Sequence, residues 1–89
     1  EIVEYGNVTA MILKLISPEK VHFDGEVDSV NVPDTDETNF VILKGFAPLI
    51  STLGKGKVSY NVNGNVSSLE ISSGFLDVCN DVVVVCVEL

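Results

Sequence analysis

Arginine and tryptophan are missing from this chain, histidine occurs once, and five lysines supply all of its fixed cations. Set against 13 acids they leave a formal net charge of -8, which argues against a nucleic-acid partner, because phosphate backbones demand clustered cations. Anionic lipid headgroups are disfavoured for the same reason. Long apolar runs are missing too. The longest, Val82 to Val87, falls far short of the about 20 residues that cross a bilayer, so no direct membrane insertion is expected. Nothing resembles a signal peptide. Cysteine occurs twice, and geometry excludes a staple. If Asn80-Asp81 is a two-residue turn, Cys79 lies opposite Val82 and Phe75 opposite Cys86, which sets the sulfurs roughly 13 Å apart along the strands. A disulfide needs Cα atoms within about 7 Å. Both cysteines are therefore read as reduced, small apolar residues, as suits a reducing compartment.

Convergent chemistry is equally scarce. His22 has no partners at triad or zinc spacing, and a lone histidine on a short strand is ordinarily structural or exposed. The acids Asp34, Asp36 and Glu37 offer oxygen ligands, yet the spacing lacks the glycine turn and the distant glutamate of a calcium loop, so no metal site is expected. Gly54-Lys55-Gly56-Lys57 superficially resembles a phosphate cradle. It runs into a strand pattern instead of a helix N-terminus, and it reads as a turn with solvated lysines. Neither a catalytic residue nor a cofactor site is expected, and a binding or transmission module is favoured over an enzyme.

What is present is a recurring strand signal. Apolar and β-branched stretches return every eight to twelve residues between turn residues, and no window keeps a helical period. With 89 residues the chain makes one domain. The expected fold is all-β, a flattened sandwich or barrel of nine or ten short, mostly antiparallel strands, with a mobile tail over residues 1–8 and the domain over residues 9–89. A first strand is expected over Thr9 to Ile16, with poor alternation, and Ser17-Pro18-Glu19-Lys20 ends it in a turn. Gly25 is expected to mark a bulge or bend. Glu26 to Val32 reads as one alternating strand, with Val30 and Val32 on the face opposite Val27. Pro33 to Thr38 is a loop by composition.

Asn63-Gly64 predicts a type I′ hairpin that pairs Val62 with Asn65, placing Val58 and Tyr60 on the face of Leu69 and Ile71. The last hairpin, Phe75 to Cys79 and Val82 to Val87, is apolar on both faces. It must be central in its sheet or covered by a partner.

Three segments lie in order over most of the chain: Phe23-Asp24-Gly25-Glu26-Val27 leading to Val30, Val32 and Pro33; Gly45-Phe46-Ala47-Pro48-Leu49; and Gly74-Phe75-Leu76-Asp77-Val78. Together they resemble the amino-terminal domain of the epsilon chain of F-type ATP synthases, called delta in mitochondria, from about Met11 to Leu89. The resemblance implies a central-stalk rotor subunit that packs its side on the gamma chain and its base on the c-ring loops. It would touch the alpha/beta catalytic head only indirectly, make no bonds itself, and lie peripherally on the cytoplasmic face of a bacterial inner membrane or the equivalent organelle face. By position, Ser17 with Phe46, Ala47, Leu49, Ile50 and Ser51 would face gamma, while Asp34, Asp36, Glu37, Thr38 and Asn39 would face the c-ring.

The departures from the family pattern are specific. The glycine-punctuated loop before the second motif is replaced by Pro33-Asp34-Thr35-Asp36-Glu37-Thr38-Asn39, the usual histidine before Ala-Pro is Phe46, and Gly-Gly-Phe has become Ser73-Gly74-Phe75. The helical hairpin of typical members, which carries the ATP-binding and inhibitory elements, would follow Leu89, so these residues are expected to bind no ATP. An unrelated extracellular β-sandwich module recognising protein or glycan is the alternative. The unpaired cysteines and the mere two tyrosines for sugar stacking count against it.

Overall fold

The computed structural model describes residues 11–36 and 38–89; the expected tail, the start of the first strand at Thr9, and Glu37 lie outside them. Among the described residues nine strands follow one another: β1 (Met11–Ile16), β2 (Val21–Val27), β3 (Ser29–Pro33), β4 (Asn39–Ile42), β5 (Leu49–Leu53), β6 (Gly56–Val62), β7 (Asn65–Ile71), β8 (Ser73–Cys79) and β9 (Val82–Glu88). They form a five-stranded sheet in the order β2-β1-β9-β8-β5 and a four-stranded sheet in the order β4-β3-β6-β7. The expected all-β sandwich is what the structure shows. Every pairing is antiparallel except that of β1 with β9, which is parallel.

Period-two alternation builds the core between the sheets. Leu13, Leu15, Leu76, Val78, Val83 and Val85 face inward from the five-stranded sheet, and Val30, Val32, Ile42, Val58 and Ile71 meet them from the other. No polar or charged side chain is buried among the described residues. Aromatic pairs close two margins of this core. Phe23 meets Tyr60 with ring centroids 4.5 Å apart, and Phe40 meets Phe46 at 6.5 Å.

The two hairpins adopt the expected registers, Val62 opposite Asn65, Phe75 opposite Cys86 and Cys79 opposite Val82. Their turns require positive φ at both central residues, and the values are 53° and 87° at Asn63 and Gly64, 51° and 62° at Asn80 and Asp81. The last hairpin is central, one of the two outcomes its two-sided apolarity allowed, because β9 lies between β1 and β8, and β8 between β9 and β5. Gly74 faces inward at a close approach, where a Cβ would sit 3.0 Å from the Cys86 carbonyl oxygen.

Two expectations need correction. Glu26 to Val32 is not one strand: β2 ends at Val27 and β3 begins at Ser29 in the other sheet. The chain turns a corner at Asp28, whose N–H donates to the Asn61 carbonyl at 2.7 Å while its carboxylate accepts the Asn63 N–H at 2.9 Å. Val27 and Val30 are consequently both buried, which one continuous strand would forbid. The bulge falls at His22 and not at Gly25, since Leu15 pairs with Phe23 and Ile16 already with Val21, while Gly25 pairs regularly with Leu13. Both cysteines are free and lie exposed on the outer face.

Asp81 ties the crossover between the sheets to the last turn. Its carbonyl accepts the Ile12 N–H at 2.9 Å, and its carboxylate accepts the Gly45 N–H at 2.8 Å and pairs with the Lys44 ammonium at 2.5 Å. The hydrogen bond from Lys44, then that from Gly45, holds its pKa below the ordinary 3.8. A carboxylate depressed in the folded state contributes stability above its unfolded pKa and loses that contribution as pH falls through the folded one. Urea unfolding of Asp81→Asn should therefore show a deficit against the parent at neutral pH that shrinks as pH falls below 3.8; a deficit independent of pH would rule out the carboxylate as its source. Leu13→Ala, at a position with no exposed surface, should cost about 3 kcal/mol with an unchanged denaturant slope.

Candidate functional site

The residues expected to face gamma occupy separated places. Ser17 opens the turn after β1: its N–H donates to the Lys20 carbonyl at 2.9 Å, and its hydroxyl lies 2.9 Å from His22 Nε2. The segment from Phe46 to Ser51 lies at the far edge of the same sheet, on and before β5, with β9 and β8 between it and β1. Phe46 is half-buried against the core and stacked on Phe40. Leu49 also packs on the core, and Ser51, paired with the buried Leu76, points inward. Ala47 is exposed, and Ile50 protrudes with 66% of its surface free.

What joins these two places is the outer face of the five-stranded sheet. Pairing aligns its residues in rows that run across the strands. One row is Val21, Ile16, Cys86, Phe75 and Thr52; the next is Asp24, Lys14, Val84, Asp77 and Ile50; a third holds Glu26, Ile12, Val82 and Cys79. The face is largely apolar and open to solvent, with Phe75 44% exposed and Val21 60%. Beside Phe75, Cys86 and Ile16 an open groove of about 420 Å³ runs to Ser17 and Pro18. A surface of this kind offers mainly apolar area to whatever meets it. It is suited to burying a partner's apolar side chains.

The family likeness assigned no partner contact to Ile16, Phe75, Val84 or Cys86, although Phe75 lies in its third segment. The available signal was the two-sided apolarity of the last hairpin, because a strand central in its sheet need not be apolar on a face that meets water.

The acidic segment joins β3 to β4 and lies at the same end of the sandwich as Gly54, whose N–H donates to the Pro33 carbonyl at 3.1 Å. Asp34 is shaped by local bonds, its N–H donating to the Thr38 carbonyl and its carboxylate accepting the Thr35 N–H, both at 2.7 Å. Asp36, Thr38 and Asn39 are exposed, and Asn39 donates to the Asn31 side chain at 2.9 Å. Gly54 and Gly56 are packed tightly here, since a Cβ at either would come within 2.8 Å of the Asp34 carbonyl oxygen or of the Pro33 side chain. The glycine-lysine segment is thus a structural turn that presents Lys55 and Lys57 to solvent. Among the described residues no group of three His, Cys, Asp or Glu side chains is placed to hold a metal ion.

A family model described as the ATP synthase, Delta/Epsilon chain, beta-sandwich domain matches residues 10–89. The ATP synthase epsilon chain of Leptospira borgpetersenii is 38% identical over 71 residues, covering 80% of this chain and 55% of that protein. The epsilon chain of Chlorobium limicola is 36% identical over 80 residues, covering 89% of this chain and 90% of that one. The chain thus spans about half the length of the Leptospira relative and nearly all of the Chlorobium one. Among solved structures, a chain of the Euglena gracilis mitochondrial ATP synthase, OSCP/F1/c-ring, superposes with a TM-score of 0.79 at 22% identity, over 88% of this chain and 50% of that one. One from the central stalk and c-ring of the Tetrahymena thermophila mitochondrial enzyme gives 0.72 at 15%, over 89% and 63%. These structural likenesses show the fold, and the match over residues 10–89 shows the family: the chain belongs to the beta-sandwich domain family of ATP synthase delta and epsilon chains.

Proposed function

We propose that this chain is a non-catalytic central-stalk subunit of a proton-translocating F-type ATP synthase, linking the gamma chain to the c-ring and coupling proton flow to ATP synthesis. Family membership removes the alternative of an unrelated extracellular module. The observation that carries the reading is the exposed apolar face that continues from Ile16 beside Ser17, through Cys86 and Phe75, to Ile50. Gamma docks on that face. The acidic end, with Asp34, Asp36, Glu37, Thr38 and Asn39, turns toward basic residues on the c-ring loops, where exposed charges steer and orient more than they bind. The subunit then sits peripherally on the cytoplasmic face of a bacterial inner membrane or the equivalent organelle face.

A tagged chain recovered from detergent-solubilised source membranes should bring gamma, alpha and beta chains with it; their absence would remove the proposal. Phe75→Ala should weaken gamma binding by about 2 kcal/mol with little change in unfolding. Phe46→Ala should instead lower folding stability by about 2 kcal/mol, because its ring completes the core margin with Phe40. Calorimetric titration and urea unfolding of the two variants separate these effects, and equal gamma affinity for Phe75→Ala and parent would take that ring out of the interface. Replacing Asp34, Asp36 and Glu37 by Asn, Asn and Gln should flatten the salt dependence of assembly with the c-ring while leaving domain stability nearly constant. An unchanged salt slope would leave the loop merely solvated.

A further inference from the structure

Asp77 stands in the middle of the apolar outer face. On β8 its neighbours in that face are Phe75 and Cys79, and across the sheet it is paired with Ile50 on β5 and Val84 on β9. It is half-buried, and it has no hydrogen-bond or ion-pair partner among the described residues, whose one salt bridge joins Lys44 to Asp81 elsewhere. The nearest cation in the face, Lys14, is two strands away across Val84, roughly 10 Å by strand spacing, and stands directly opposite Asp24.

A carboxylate in open water at this place is harmless. Covered by an apolar partner it loses its hydration, and a buried unpaired charge opposes binding strongly. Any partner that covers Phe75 and Ile50 must also cover Asp77, which pairs directly with Ile50 and is the next outward residue after Phe75 on β8. We infer that the docking segment of the gamma chain carries a lysine or arginine that meets Asp77, flanked by apolar side chains that cover Phe75, Val84 and Ile50. The inference rests on the docking-face reading and adds the partner's chemistry to it. The charge balance of the face supports it, with Asp24, Glu26, Asp77 and Glu88 pointing outward against Lys14 alone. A second copy would bring carboxylates against carboxylates, and an anionic membrane would be repelled in the same way. The basic amphipathic partner segment therefore fits where those two do not.

The test measures binding of the purified chain to its cognate gamma chain for the parent, Phe75→Ala, Ile50→Ala, Asp77→Asn and Asp77→Lys, with urea midpoints as the control for folding. Asp77→Asn preserves shape and should weaken binding by about 30-fold while reducing its salt dependence, because it strands the opposing cation. Asp77→Lys should weaken it further, and changing one gamma Lys or Arg to Asp should restore affinity to Asp77→Lys while impairing the parent. Parental affinity for Asp77→Asn alongside loss for Phe75→Ala would overturn the pairing and leave the docking face standing. Weakening by Asp77→Lys that no gamma Lys or Arg to Asp substitution restores overturns the pairing as well. Unchanged binding for all four variants, or a dimer of the isolated chain that Phe75→Ala disperses in sedimentation runs, would overturn the docking face itself.

Discussion

The parallel pairing of β1 with β9 is the constraint on which the rest depends. It brings the first described strand beside the last and fuses two antiparallel pieces, β2-β1 and β9-β8-β5, into one sheet. Closing so long a loop costs entropy that no tight turn repays locally, so the contact must be stabilised by what it buries. Leu13 and Leu15 supply this on the inner side against Val83 and Val85. The Ile12 N–H bond to the Asp81 carbonyl extends the register beyond the first pair, Ile12 with Val82. The same register fixes the outer side. Once Ile16 lies beside Cys86, and Cys86 beside Phe75, the apolar rows follow with no further choice.

Much of this fold was legible because its information is local. Asn63-Gly64 and Asn80-Asp81 specify turns whose positive φ sets each hairpin register, and both registers appear as read. Two readings failed where local alternation meets a change of sheet. Val27 and Val30 have opposite parity yet both are buried, because Asp28 takes the chain around a corner by bonding to the β6–β7 hairpin, which alternation does not encode. The bulge at His22 likewise reflects pairing with β1 and not glycine content. For the candidate site, a family likeness pointed to Ser17 and to Phe46, Ala47, Leu49, Ile50 and Ser51, in two separated places of which only Ser17 and Ile50 adjoin the outer face. The surface between them depends on the β1–β9 pairing, which leaves no local trace.

An apolar outer face invites self-association, and this chain carries its own counterweight. Asp24 and Glu26 point outward from the edge strand β2, and Asp77 and Glu88 from β8 and β9, so two such faces brought together meet charge with like charge. The acidity that argued against nucleic acid therefore acts locally as a specificity device. It disfavours the copy and leaves the face open to a partner of the opposite sign.

The two Gly-Phe pairs show how one sequence serves fold and partner separately. Phe46 and Phe75 each follow a glycine in a segment resembling one family, and composition does not distinguish them. Strand parity does. Gly74 and Leu76 face inward, so Phe75 between them must face out, away from the core. Phe46 precedes β5 in the crossover, where its N–H bond to the Leu43 carbonyl and its stacking on Phe40 turn the ring onto the core. A period of two thus lets residues on one side of β8 and β9 hold the sandwich while their neighbours meet a partner. The aromatic suited to recognition is the one that the pleat, and not the motif, turns outward.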